Sequence, residues 1–178
     1  LTEVNKTQTG SSLPTNSKSL TILTKPTRNR NLCTKFNCKY YNSLDKSGTL
    51  TCIQTKEKFP TKTNISCKSS NLIYCLNCKK CGIQYVGQTK RKLHQRLLEH
   101  FYNINQIKKL GSIKTPHPVA SHFGQKDHQG ISDIKVQILD FVSAHPHTKK
   151  ALNHRLKLEK KWIHALRCPA PLGLNMMD

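Results

Sequence analysis

The chain has 178 residues, enough for one compact domain plus an arm or for two small domains. It carries 30 Lys and Arg against 9 Asp and Glu, a formal net charge of +21 that favours a polyanionic partner, nucleic acid above all. No run approaches the roughly 20 apolar residues of a membrane span, so we expect no membrane association. The start, Leu1 to Val4, has neither a signal-peptide pattern nor an initiator methionine, which suggests a piece of a longer polypeptide.

Two segments precede the first predicted core. Residues 1–32 are rich in Ser, Thr, Asn and Lys and show no strand or helix periodicity, so we expect a flexible basic arm or linker. Residues 33–69 carry cysteines but few large apolar groups, which predicts a linker region stapled by metal or simply extended. The compact domain is predicted to span residues 70–178.

Three strands are predicted in that domain. Residues 71–76 and 83–87 form the first two, joined by a hairpin-like connection over 77–82. Residues 133–139 alternate polar and apolar side chains, which predicts a half-buried third strand.

Helices are predicted between and after these strands. The first begins with Thr89 as N-cap and ends near Ile104, a short one covers 119–123, and the last covers 148–166. The apolar stripe of the first helix consists of Leu93, Leu97, Phe101 and Ile104. The predicted buried stripe of the last helix consists of Leu152, Leu156, Ile163 and Leu166.

Glu159 falls in the angular middle of the stripe predicted for the last helix. Burying a carboxylate there is costly unless a cation offsets its charge. Two interpretations stay open at this point: an ion pair with a Lys or Arg, or a ligand for a hard divalent cation such as Mg²⁺.

Four further residues could join Glu159 in one site. Tyr74 and Tyr85 lie in neighbouring predicted strands, and Arg96 and His100 share one face of the first helix at the rim of its apolar stripe. Two strand tyrosines alone indicate core packing. Next to a cation, however, a tyrosine can act as general base or orient a water, while an arginine stabilises charge on a phosphate and a histidine assists.

The cysteine spacing favours zinc over disulfides. Cys78 and Cys81 form a CxxC pair at a predicted hairpin tip, which points both sulfurs inward, and His122 and His128 have workable spacing for the other two ligands. Cys75 with Cys78 is a competing register. A second zinc site could be formed by Cys33, Cys38, Cys52 and Cys67.

In chain order these residues resemble the motif set of the GIY-YIG nuclease superfamily. The matching motifs are Ile73-Tyr74, Tyr85-Val86-Gly87, Arg96 with His100, Glu159, and Gly173-Leu174-Asn175. The resemblance covers residues 71–175, about three-fifths of the chain. It implies an α+β fold with a small three-stranded antiparallel sheet flanked by helices. It also implies metal-dependent hydrolysis of phosphodiester bonds without a covalent intermediate.

The resemblance further implies a role for each matched residue. Tyr74 or Tyr85 would act as base or position the water, and Arg96 would contact the scissile phosphate with help from His100. Glu159 would hold a single Mg²⁺ or Mn²⁺. The site would be supported by Asn175.

Two positions depart from the family pattern. Leu72 replaces the glycine of the first motif, which a strand tolerates, and Gln88 follows the second motif where some relatives have Lys. Lys90 is a candidate for that lysine by proximity. With Arg91 and Lys92 it forms a basic run that we expect to contact nucleic acid.

The closest resemblance is to the nuclease domain of Penelope-like retroelements, in which a Cys-Cys-His-His site is embedded. It extends to 71–74, Ser121-His122-Phe123, Asp127-His128, Trp162-Ile163 and 173–175. It implies the C-terminal part of a reverse-transcriptase polyprotein that nicks target DNA in the nucleus. The implied partners are DNA, the element RNA and the reverse-transcriptase domain, and a homodimer stays open.

Two other functions remain compatible with the sequence. One is a zinc-stabilised nucleic-acid-binding module that has lost catalysis, which the missing glycine of the first motif allows. The other is a structure-specific DNA repair nuclease of the same superfamily.

Overall fold

A three-stranded antiparallel sheet forms the centre of the molecule. The structure is a computed structural model that describes residues 33, 38–64, 66–112, 117–143, 145 and 147–176; the predicted arm over 1–32 lies outside them. Two short strands, β1 (Thr49–Thr51) and β2 (Lys58–Pro60), form a separate hairpin. The central sheet has the order β4-β3-β5, with β3 at Leu72–Cys78, β4 at Gln84–Thr89 and β5 at Ile134–Phe141. The predicted α+β class with a small antiparallel sheet is confirmed.

Three helices accompany the sheet: α1 (Leu93–Leu110), α2 (Pro118–Gly124) and α3 (Lys149–Ala165). Every residue of β3 is buried, because the central strand is covered on both faces. One core packs against α1 and α2, and a second packs against α3. Within the described ranges, no helix is long and apolar enough to cross a membrane.

Helix α1 starts later than predicted. Thr89 is the last residue of β4, and its Oγ1 accepts a hydrogen bond from the Arg91 backbone N at 3.1 Å, which makes a local turn instead of a helix cap. The predicted apolar stripe is otherwise present, with Leu93, Leu97 and Ile104 buried and Phe101 packed beside them. The delayed start places Arg96 in the first turn of the helix.

The stripe predicted for α3 is wrong at its first half. Leu152 and Leu156 are 40% and 47% exposed, whereas the buried side chains of the helix are Ala151, Arg155 and Trp162. Trp162 packs edge-on against Phe59 of the hairpin, with ring centroids 5.7 Å apart. Helix periodicity alone does not show that burying Trp162 is favoured over burying Leu152 and Leu156. It also does not show that a buried arginine has hydrogen-bond partners.

The segment before the sheet packs onto it. The backbone N of Asp45 donates to Val136 O and that of Lys62 to Ile138 O, both at 2.8 Å along β5. Tyr40 is 4% exposed and packs against Phe101 of α1. The described part of residues 33–69 therefore shares the core of the central sheet.

Helix α3 begins at a side-chain cap whose loss can be measured. Thr148 accepts a hydrogen bond from the Ala151 backbone N at 3.1 Å. We predict that Thr148→Ala lowers the free energy of unfolding by about 1 kcal/mol, because a first-turn N–H loses its acceptor. Thr148→Ser keeps that acceptor and is the control. Equal urea midpoints for both variants and the parent would contradict the prediction.

Candidate active site and metal centre

The Tyr74 hydroxyl is the centre of a buried polar network. Tyr74 is 0% exposed, and its Oη lies 2.8 Å from His100 Nε2 and accepts a hydrogen bond from Arg96 Nε at 3.0 Å. Burial, with a contribution from neighbouring Tyr85, raises the pKa of Tyr74, so the phenol stays protonated at neutral pH. Burial, reinforced by Arg96, lowers the pKa of His100 well below its usual value. Neutral His100 therefore accepts a hydrogen bond from the Tyr74 hydroxyl through Nε2.

Gly87 makes room for this network. It pairs with Tyr74 across the sheet, and a Cβ at position 87 would lie 2.7 Å from the Tyr74 hydroxyl and 2.8 Å from the Tyr85 ring. No side chain fits at that distance without displacing one tyrosine. The glycine of the second motif is thus required by the close approach of two rings.

Arg96 is oriented by two partners. Its Nε donates to Tyr74, and its Nη1 donates to Glu99 Oε2 at 2.8 Å, one turn along α1. Glu99 also pairs with Arg91 from the preceding turn. Although burial opposes it, hydrogen bonds from Arg96 and Arg91 lower the pKa of Glu99, which keeps it charged. Glu99 is a positioning residue that the sequence analysis missed, although its spacing from Arg96 is a recognisable helix pair.

Tyr85 lies beside Arg96, whereas Glu159 lies near Arg155 of its own helix. Burial raises the pKa of Tyr85 and the charge of Arg96 opposes the rise, while Glu159 acts electrostatically on both tyrosines. In contrast to Tyr74, Tyr85 keeps part of its surface exposed, as does Glu159. The predicted place of Glu159 in the middle of the buried stripe is corrected, because other residues form the buried face of α3 and Glu159 is partly exposed. Glu159 nonetheless acts on both tyrosines from α3, while Arg96 and His100 contact Tyr74 from α1, so the predicted residues share one neighbourhood around the two tyrosines.

His117 joins this group without having been predicted. Its ring centroid lies 5.2 Å from that of His100 and 6.0 Å from that of Tyr85. Its Nδ1 is buried and has no hydrogen-bond partner among the described residues. The residue precedes Pro118 of α2 and no periodic pattern includes it, so only the packing of α2 on α1 identifies it.

Asn175 and Arg155 hold the frame of the site. The Asn175 side-chain amide accepts from the Val86 backbone N at 2.9 Å and donates to the Val86 carbonyl at 2.8 Å. These two bonds fix the backbone of β4 between Tyr85 and Gly87. Arg155 is 2% exposed and donates to Gln88 at 2.9 Å and to Asn71. It therefore ties α3 to β4 and to the residue before β3, one turn before Glu159. The contacts of Asn175 are compatible with the supporting role that the resemblance implies, and Arg155 was missed.

A separate cluster of four predicted metal ligands assembles at the β3–β4 hairpin. One ligand atom from each of Cys78, Cys81, His122 and His128 lies within 4.8 Å of all the others. A tetrahedral zinc site with bonds of about 2.0–2.3 Å separates its ligand atoms by about 3.3–3.8 Å, so a small contraction would close it. The buried Nε2 of His128 has no hydrogen-bond partner among the described residues, as expected of a ligand atom. These residues fit a metal ion such as zinc.

Asp127 orients one of these ligands. Its Oδ1 lies 2.9 Å from His128 Nδ1, and its Oδ2 lies 2.9 Å from Lys80 Nζ. Hydrogen bonds from Lys80 and His128 lower the pKa of Asp127 to about 2, so it is an acceptor at neutral pH. A carboxylate on one histidine nitrogen directs the other towards the metal. In the sequence Asp127 belongs to the Asp127-His128 motif, but spacing alone assigns it no role.

Three cysteines form a second cluster beneath α1. Cys33, Cys38 and Cys67 bring their sulfurs within 4.8 Å of one another, and 3.3 Å separates the Cys38 and Cys67 sulfurs. Cys52, which was expected to join them, lies in the α3 core, where its sulfur faces the Leu166 carbonyl. The expectation of four ligands is corrected to three among the described residues, because Cys52 follows β1 and lies in the opposite core.

The basic run before α1 is exposed. Lys90, Arg91 and Lys92 are all exposed, and Lys90 and Arg91 line a cleft next to Arg96. That position is compatible with contact to a polyanion.

Comparisons of the chain with protein-family models, curated proteins and solved structures find no match. The resemblance to the GIY-YIG superfamily therefore stands on the motif residues and on their geometry.

The cluster of Cys78, Cys81, His122 and His128 gives a direct prediction. We expect Asp127→Asn to weaken zinc binding about 10-fold to 100-fold, because His128 loses its orienting carboxylate, and Cys81→Ser to weaken it further. The measurement is competition with a chromophoric chelator, and Lys126→Ala is the neighbouring control. Parent-like affinity in both ligand-side variants would contradict the assignment.

Proposed function

We propose that the chain is a metal-dependent DNA endonuclease of the GIY-YIG type. The observation that carries the proposal is the neighbourhood of the two tyrosines, where Arg96 and His100 bond to Tyr74 and Glu159 acts on both hydroxyls. The net charge of +21 supports a polyanionic substrate. The α+β architecture with β3 in the centre is compatible with the GIY-YIG fold.

Arg96 is suited to contact the scissile phosphate. Its side chain is 21% exposed, and Tyr74 and Glu99 fix its direction from opposite sides. A guanidinium held in place before the substrate arrives stabilises developing negative charge without reorganising.

Glu159 is suited to hold the catalytic cation. It is partly exposed on α3 and acts electrostatically on both tyrosines. A Mg²⁺ or Mn²⁺ held there would supply positive charge for the scissile phosphate and for the attacking water.

The two tyrosines differ in their access to water, which decides between them. The Tyr74 hydroxyl is buried and engaged by both Arg96 and His100, whereas Tyr85 is partly exposed next to Arg96. We therefore assign the positioning or deprotonation of the attacking water to Tyr85. Tyr74 holds Arg96 and His100 in place.

The wider role follows the resemblance to Penelope-like elements. We propose that the domain nicks target DNA to prime reverse transcription as the C-terminal part of a polyprotein, in the nucleus. The Cys78, Cys81, His122 and His128 cluster supports this, since a zinc centre embedded in the nuclease domain is what that resemblance implies.

Nicking of supercoiled plasmid tests the catalytic proposal. With Mg²⁺ or Mn²⁺ we expect the parent to nick, and Arg96→Ala and Glu159→Gln to lose at least about 100-fold in rate. Loss in both variants, each still folded at the assay temperature, would locate the site. If Glu159→Gln cut as fast as the parent, the metal assignment would be wrong.

Paired phenylalanine variants test the division between the tyrosines. Tyr85→Phe should lower the single-turnover rate about 100-fold or more with little change in stability, because a group acting on water is lost. Tyr74→Phe should lower the free energy of unfolding by about 1–3 kcal/mol, since it removes a partner from His100 and Arg96. Rates come from quenched cleavage of labelled duplex and stabilities from urea unfolding. A Tyr85→Phe variant with the parental rate would sink the assignment.

A second candidate is a zinc-stabilised binding module without catalysis, favoured by the charge and the four-ligand cluster. Salt-dependent DNA binding with no cleavage in any divalent metal would support it. Preferential cutting of branched substrates over plain duplex would instead indicate a structure-specific repair nuclease.

A further inference from the structure

A basic cleft adjoins the candidate active site and has no role in the chemistry described so far. It has a volume of about 590 Å³ and lies between the β4–α1 turn and the first half of α3. Its described lining residues are Gln88, Thr89, Lys90, Arg91, Arg96, His147, Thr148, Lys149, Leu152 and Arg155. Five of them are Lys or Arg, and none is Asp or Glu.

The positive charge in the cleft is only partly balanced. Glu99, outside the lining, pairs with Arg91 and Arg96. Lys90 and Lys149 form no ion pair with any described residue. Several cations around one concave surface repel each other and raise the local concentration of anions. The lining thus favours an anionic occupant.

The cleft has a fixed wall. Arg155 is 2% exposed and is held by hydrogen bonds to Gln88 and Asn71, so its position does not depend on an exposed, mobile side chain. Arg96, at the other side, is held by Tyr74 and Glu99. Fixed cations select a ligand of defined position, whereas exposed lysines alone attract any anion.

The size and position of the cleft point to a nucleotide-sized part of a strand. A volume of about 590 Å³ exceeds what one phosphate group fills and lies within the range of small-molecule sites. Arg96 belongs both to the cleft and to the tyrosine network. A strand whose scissile phosphate faces Arg96 would therefore place a neighbouring backbone phosphate in the cleft.

We propose that the cleft between the β4–α1 turn and α3 binds the backbone phosphate next to the scissile one, with Lys90 and Lys149 as the contacting cations and Arg155 as part of the wall behind them. This inference rests on the proposed endonuclease function. In this arrangement the cleft sets the direction in which the cut strand crosses the site.

Binding without cleavage gives the first test. The variant is Lys90→Ala with Lys149→Ala in the full chain. The control is Lys157→Ala with Lys161→Ala, which removes the same charge from exposed positions of α3 outside the cleft. Affinity for a fluorescent duplex is measured by anisotropy over a series of NaCl concentrations, without divalent metal. Thermal unfolding verifies that both variants are folded.

The cleft variant should reduce the salt slope by roughly one unit, the contribution of one phosphate contact, and the control should change it by less than half of that. Equal slopes in the two variants would overturn the proposal. Duplexes with and without a 5′-phosphate should bind equally. Dependence on that terminal phosphate would show that the cleft takes a strand end and would overturn the backbone assignment.

Cleavage then locates the phosphate. Single neutral methylphosphonates are placed on either side of the cut in the labelled strand. A methylphosphonate at one flanking position should slow cutting by the parent and by the control but not by the cleft variant. The reason is that removing the phosphate charge and removing the two lysines eliminate the same interaction. Purely additive effects at every position would overturn the proposal. Absence of any cutting by the parent would count against the endonuclease function, and the salt slopes would still decide for or against an anion site in the cleft.

Discussion

The buried hydroxyl of Tyr74 requires partners from the protein, because a phenol in the interior without a hydrogen bond costs about 1–3 kcal/mol. Arg96 and His100 supply them from successive turns of α1. The helix is therefore locked in rotation and register against β3. The site and the core are consequently one structure, because the residues proposed for phosphate contact also make the hydrogen bonds that the buried Tyr74 hydroxyl of the central strand requires.

Close backbone approach makes this arrangement possible. Gly87 leaves space for the rings of Tyr74 and Tyr85, and Asn175 fixes the backbone of β4 at Val86. The second motif and the C-terminal motif thus meet at the same strand. Their order in the sequence follows from that meeting and from the position of β3 between its two neighbours.

Metal ligation and helix packing both stabilise the hairpin end of the sheet. The hairpin cysteines belong to the β3–β4 connection, while both histidines come from α2 and the loop after it. Lys108 of α1 reinforces the loop by donating to the His128 carbonyl at 2.6 Å. A metal ion there would link the hairpin to α2, which packs on the helix that carries Arg96 and His100. The free energy of metal binding would then add to the stability of a small core.

Much of this protein follows from local sequence. Strand alternation, the stripe of Leu93, Leu97 and Ile104, and the CxxC pair with two histidines each depend on spacing within one or two elements. The three-stranded sheet and the four-ligand cluster were predictable for that reason. The pairing of Tyr74 with Gly87 explains why the second motif has a glycine, which a strand pattern alone does not explain.

The remaining features depend on contacts between distant segments. Arg155 is buried because Gln88 and Asn71, more than 60 residues away, supply acceptors, and the exposed Leu152 and Leu156 follow from the same rotation of α3. Cys52 lies apart from Cys33, Cys38 and Cys67 because the residue after β1 packs into the α3 core. His117 and the basic cleft exist only where α2 and α3 meet the rest of the chain. Periodicity determines which residues can share a face; the tertiary structure decides which face is buried, because that choice depends on the partners that each polar group finds.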